Sequence, residues 1–175
     1  MRCLEFRIPG LWHDVGDAVN GTELFNDSAI AEIDSRIRRV HQDLIDWMED
    51  YKAHCVRLSL VTPPTQELAM RRELFGASLE CLCIVKRLLA TVCDMEREKL
   101  EGEAQALAHL LIELQKQPSS KHSWLFTPHE KGIAYGIIDT KDEWECHLTC
   151  ESEYERRIAT RRRYNSWNES IRMMH

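Results

Sequence analysis

The sequence predicts an all-α fold, an irregular helical bundle of about five helices, on three observations. Apolar residues recur at steps of three and four over long stretches, prolines and capping boxes punctuate those stretches, and no segment shows a convincing alternation of apolar and polar residues. At 175 residues, 43% of them hydrophobic, the chain has enough apolar material for one sizeable core.

Residues 1–26 hold three of the seven glycines and no sustained period, so an irregular lead-in is expected there, draped over the core through Leu11, Trp12 and Phe25. Residues 27–163 read as the helical domain. Ile30, Ile33, Ile37, Val40, Leu44, Trp47 and Tyr51 form an amphipathic stripe capped by Asp27 or Ser28. Val56 to Val61 is the best strand candidate in the chain, with a simple connection as its alternative. Thr62-Pro63-Pro64-Thr65 then breaks any helix and supplies a hydroxyl cap.

Leu68, Phe75, Leu79, Leu82, Val85, Leu88, Leu89 and Val92 follow on a broad face, marking the most buried helix. The next segment carries Leu100, Ala104, Leu107, Leu111 and Leu114 on one side. Glu103, Gln105 and Glu113 are assigned to its opposite face, while Glu96, Glu98 and Glu101 early and Lys116 late match the helix dipole. Thr127-Pro128-His129-Glu130 and Thr140-Lys141-Asp142-Glu143 are capping boxes. The first starts a short helix in which Gly132 and Gly136 permit close contact, and the second starts one running towards Arg163. Residues 164–175 are expected to be a tail.

Charge and hydropathy limit the function. A formal net charge of −6, from 29 acidic and 23 basic residues, opposes whole-surface attraction to nucleic acid or anionic membrane. Neither the apolar core of a signal peptide nor a membrane-length apolar run is present, so an unexported protein with no membrane partner is expected. Its seven cysteines then read as reduced thiols, Cys81, Cys83 and Cys93 inside an apolar pattern. The sequons at Asn20, Asn26 and Asn168 matter only in a secreted protein.

Chemistry-bearing patterns are few. Cys146 and Cys150, with His147 between, stand one helical turn apart, yet two thiolates do not close a zinc site. Asp14 with Asp17 and Asp139 with Asp142 are paired carboxylates that resemble the acid pairs of magnesium-dependent helical enzymes such as terpene cyclases, which need two facing acidic helices; Asp14 and Asp17 are assigned here to a loop. His54-Cys55 cannot act as a dyad, because adjacent helical side chains diverge by about a hundred degrees. No catalytic residue, metal or cofactor is assigned, and the chain is not expected to be an enzyme. Arg156, Arg157, Arg161, Arg162 and Arg163, followed by Tyr164 and Trp167, form a basic cluster. It reads as a solvated helix end, as a nuclear-import signal or as a nucleic-acid contact.

Arg87-Leu88-Leu89-Ala90, then Met95-Glu96-Arg97-Glu98-Lys99-Leu100-Glu101-Gly102-Glu103-Ala104-Gln105-Ala106-Leu107-Ala108, and later Gly132 to Trp144, share an order and spacing with one known pattern. Together they resemble the C-terminal helical region of fungal zinc-cluster transcription factors. The resemblance covers about Ala69 to Trp144 and implies a nuclear regulatory region that contacts effectors or protein partners. The six-cysteine zinc cluster of that family needs two Cys-x-x-Cys pairs, and this chain has none. Sequence-specific DNA binding is therefore not expected. The alternatives are a free-standing helical scaffold or adaptor unrelated to transcription, a cytoplasmic location, and a small helical enzyme.

Overall fold

The computed structural model describes residues 7–21, 27–58, 65–115, 127–145 and 152–173, with side chains at 27, 54–58, 65–73, 115 and 127–131 outside the description. Among these residues there are seven α-helices and no strand: α1 Arg7–Asn20, α2 Asp27–Leu58, α3 Thr65–Val92, α4 Arg97–Gln115, α5 Thr127–Asp139, α6 Lys141–Glu145 and α7 Glu153–Met173. The all-α class holds. A single turn of tighter helix, Asp94–Glu96, joins α3 to α4.

α3 is the axis of the bundle. From Ala77 to Thr91 nearly every side chain is buried, and α1, α2, α4 and α5 all pack against it. A helix surrounded in this way needs apolar residues on all sides, and Leu79, Leu82, Val85, Leu88 and Leu89 supply them. Complete burial of each such side chain is worth about 1.5–3 kcal/mol. The α2 stripe is as read: Ile37, Val40 and Leu44 are buried, and Ile33 and Trp47 are half-buried. On α4, Leu111 is buried while Leu107 and Leu114 are half-buried.

Several expectations are corrected. Residues 7–20 form a helix, because Ile8, Leu11, Val15 and Val19 sit three or four apart and all four are buried. Gly10 and Gly16 disguise that stripe. Asp14 and Asp17 thus lie on α1, not in a loop. The helix placed between Thr140 and Arg163 is two helices, and the second begins at a reciprocal capping box. Ser152 Oγ accepts from the Glu155 amide at 3.2 Å, and the Glu155 carboxylate accepts from the Ser152 amide at 3.1 Å.

Residues 164–173 are not a tail but the most aromatic part of the core. Tyr164 and Trp167 are buried on α7, and Trp167 stacks on Trp12 with centroids 4.6 Å apart. Val56 to Leu58 belongs to α2, and the rest of that strand candidate lies outside the described residues. Gln105 and Glu101, assigned to exposed or dipole-matching positions, are buried.

α1 and α7 run antiparallel. Trp12 pairs with Asn168, Asn20 with Asn165, and the Arg161 guanidinium donates to the carbonyls of Val19 and Gly21. Gly16 lets the two helices approach, since a Cβ there would lie 3.0 Å from the Tyr164 hydroxyl. The same logic holds where α5 meets α7, for a Cβ on Gly136 would lie 2.8 Å from Ile171 Cγ1. That close approach was expected of Gly136.

Candidate functional site

Two arrangements stand out once the helices are in place: a polar knot inside the bundle and a groove on its surface. The knot centres on Arg87 of α3, which is wholly buried. Its Nη2 donates to Glu101 Oε1 at 2.6 Å and to the Ile137 carbonyl at 2.8 Å, and its Nη1 donates to Thr140 Oγ1 at 2.9 Å. Arg87 Nε and Glu101 Oε2 face each other at 2.6 Å as an ion pair outside hydrogen-bond geometry.

Gln105 completes the circuit by donating to Glu101 Oε1 at 2.7 Å and to the Ile137 carbonyl at 2.8 Å. The guanidinium lies over the Trp144 ring at 4.2 Å, and Trp167 stands 5.7 Å away on another side. Burial draws the Arg87 guanidinium down to about 10 and pushes the Glu101 carboxyl up, in both cases against their mutual attraction. The knot's side chains are buried, and its bonds join α3, α4, α5 and α6.

Beside the knot, Arg97, Glu98, Glu101, Gly102, Trp144 and Glu145 line a depression of about 420 Å³. Arg97 closes one side by donating to the Trp144 carbonyl at 2.5 Å. A second polar joint lies between α2, α3 and α4, where the Lys86 ammonium donates to Glu103 Oε2 at 2.5 Å and sits 3.3 Å from His41 Nε2. Burial and the Lys86 charge hold the His41 imidazole below its ordinary range.

The groove is larger, about 710 Å³, and lies where the N-terminal end of α1 and the C-terminal end of α7 flank α3 and α5. Ile8, Trp12, Ile84, Ile133 and Ile171 give it an apolar lining, His13 adds a polar group, and Asp17, Glu80 and Arg172 add charge. The Trp12 indole donates to Asn168 Oδ1 at 2.9 Å, and the Tyr164 hydroxyl donates to the Trp12 carbonyl at 2.9 Å. These bonds fix the wall without using the apolar surface. A third hollow, between α1 and α2, is lined by Arg7, Arg36 and Arg39, of which Arg7 and Arg36 already pair with Asp43 and Asp14.

The basic cluster does not act as one surface. Arg156 and Arg157 pair with Glu153 on the first turns of α7, and Arg161 caps the end of α1. Arg163 is buried, bonded to Thr160 and 3.7 Å from Asp94, whereas Arg162 is exposed. Thr140, expected to cap α6 with its hydroxyl, instead donates that hydroxyl to the Gly136 carbonyl and accepts from Arg87.

No three metal-binding side chains converge among the described residues. Asp14 pairs with Arg36 across helices, Asp17 pairs with His13, and Asp139 and Asp142 are exposed. Cys81 and Cys83 are buried, Cys93 is half-buried, and none of the three is in a disulfide. Cys146, His147 and Cys150, and the side chains of His54 and Cys55, lie outside the described residues. No described helix is long and apolar enough to cross a membrane.

Sequence reasoning placed Leu111 and Gly136 and missed Arg87, Gln105 and Trp144 as one unit. The available signal was an arginine inside the most apolar helix, which has to find a partner. No protein-family model, curated protein or solved structure matches this chain.

Proposed function

We propose that this chain is a regulatory or protein-interaction domain, akin to the C-terminal helical region of fungal zinc-cluster transcription factors but without a DNA-reading module of its own. The observation that carries the reading is the apolar groove between α1 and α7, an exposed surface mounted on a bundle that the Arg87 knot holds rigid. A rigid frame with an apolar recess binds at little ordering cost, which suits recognition. The acid pairs and thiols are spread apart or used within the frame, so the described side chains offer a binding surface and no reacting centre. Arg156, Arg157, Arg161 and Arg162 are exposed or half-buried, and they carry the nuclear-import reading.

The test is to tether the chain to an unrelated DNA-binding module upstream of a reporter in a fungal cell. Reporter output is expected to change relative to the module alone. An output identical to that of the bare module sinks the reading. The chain alone is expected to leave no sequence-selective footprint on DNA at physiological salt, since scattered arginines touch phosphates without reading bases.

A further inference from the structure

Assigning the groove a ligand rests on its being the interaction surface of a regulatory domain. Its size falls in the range that encloses a drug-sized molecule, roughly 300–1,000 Å³. Apolar contact comes from all four surrounding helices: Ile8 and Trp12 on α1, Ile84 on α3, Ile133 on α5 and Ile171 on α7. Of the charged side chains on its walls, Asp17 is held by His13 at 3.1 Å and Glu80 is already partnered. Arg172 is different, for it makes no ion pair with any described residue.

A guanidinium beside apolar walls is a fixed fork for a planar anion, stronger where neighbouring hydrocarbon excludes water. Asn168 and Arg172 stand one turn apart on the same edge of α7, and the antiparallel register brings Arg172 opposite the first turn of α1. We propose that this groove is a binding site for a small apolar monoanion. The aromatic or hydrocarbon body lies on the isoleucines and Trp12, and a carboxylate or sulfonate sits on Arg172.

Two dyes with one ring system test this: anilinonaphthalene sulfonate, and phenylnaphthylamine, which lacks the sulfonate. The full chain is expected to bind one equivalent of the sulfonate about tenfold more tightly than the neutral dye, the gain of one charge-assisted contact. Arg172→Gln should erase that preference and leave the neutral dye's affinity unchanged. Pro9→Glu, at an exposed position on the facing wall, should weaken the sulfonate selectively, and it serves as the test if Arg172→Gln lowers the melting temperature. Equal binding of the two dyes, or a preference that survives both substitutions, overturns the proposal. A failed dye titration beside an active tethered reporter removes the anion and keeps the interaction domain; the reverse pair of results would separate the site from transcription.

Discussion

Arg87 and Glu101 face each other at 2.6 Å with side chains 0% and 1% exposed, a closed ion pair inside the bundle. Such a pair is costly to break and cheap to replace. Removing one partner leaves a buried charge, so Glu101→Leu or Arg87→Met alone should cost about 3–5 kcal/mol in urea unfolding. The double variant is expected to recover most of that loss. If it is no more stable than either single variant, the remaining bonds to Thr140, Ile137 and Gln105 dominate the knot.

The Lys86–His41 contact sets a pH dependence. His41 has a folded value below its ordinary 6.5, through burial first and the Lys86 charge second. The unfolded chain therefore takes up the proton first as pH falls, and stability drops from pH 6.5 downwards while staying level above it. His41→Gln should remove this part of the acid sensitivity. Urea midpoints at pH 7.5 and 5.5 for both proteins measure it, and an equal fall in the two would dismiss His41 as its source.

Two neighbouring leucines on α4 should behave oppositely. Leu111 is 1% exposed and Leu110 is 44% exposed. Leu111→Asp buries an unpaired carboxylate at a cost of several kcal/mol, comparable with the stability of a whole domain, and should abolish cooperative melting. Leu110→Asp is expected to change stability by no more than about 0.5 kcal/mol.

Glycine-to-alanine changes give a third contrast. At Gly102 a Cβ meets nothing within 4 Å, so Gly102→Ala should stabilise α4 by about 0.5–1 kcal/mol through helix propensity. At Gly136 the Cβ would lie 2.8 Å from Ile171 Cγ1, and the required shift should outweigh that gain by about 1–3 kcal/mol. Thermal melts of the two variants should move in opposite directions.

The thiols offer a chemical check. Burial pushes the Cys83 thiol up to about 12, so it is almost entirely protonated at neutral pH. Cys81 and Cys83 should resist a disulfide reagent until urea opens the fold, and rapid labelling of both in the folded protein would contradict their placement on α3.

The class of the fold and the inner faces of α2 and α3 were legible because both helices repeat apolar residues over several turns. α1 escaped because its stripe has only four members and two glycines stand among them. The division at α7 escaped because the Thr140 box signals a helix start but carries no information on its length. Ser152 with Glu155 was the overlooked counterpart. In the candidate groove, single isoleucines from four helices come together, and no spacing along the chain marks such a convergence. The charged knot was hidden for another reason: periodicity assigns Glu101 and Gln105 to solvent, and only the demand of a buried arginine overrides it.

The pairing of α1 with α7 has a consequence for how the protein is made. Trp12 and Asn168 are 156 residues apart in sequence, and Tyr164 reaches back 152 residues to the Trp12 carbonyl. The α3–α4 hairpin can close early from local contacts, whereas α1 has to wait for α7 to leave the ribosome before its aromatic seam finds a partner. During synthesis Ile8, Leu11 and Trp12 are therefore exposed to water or resting on the incomplete bundle. Truncation before Trp167, or a stall in translation there, would release a chain with that seam unsealed, a natural client for chaperones.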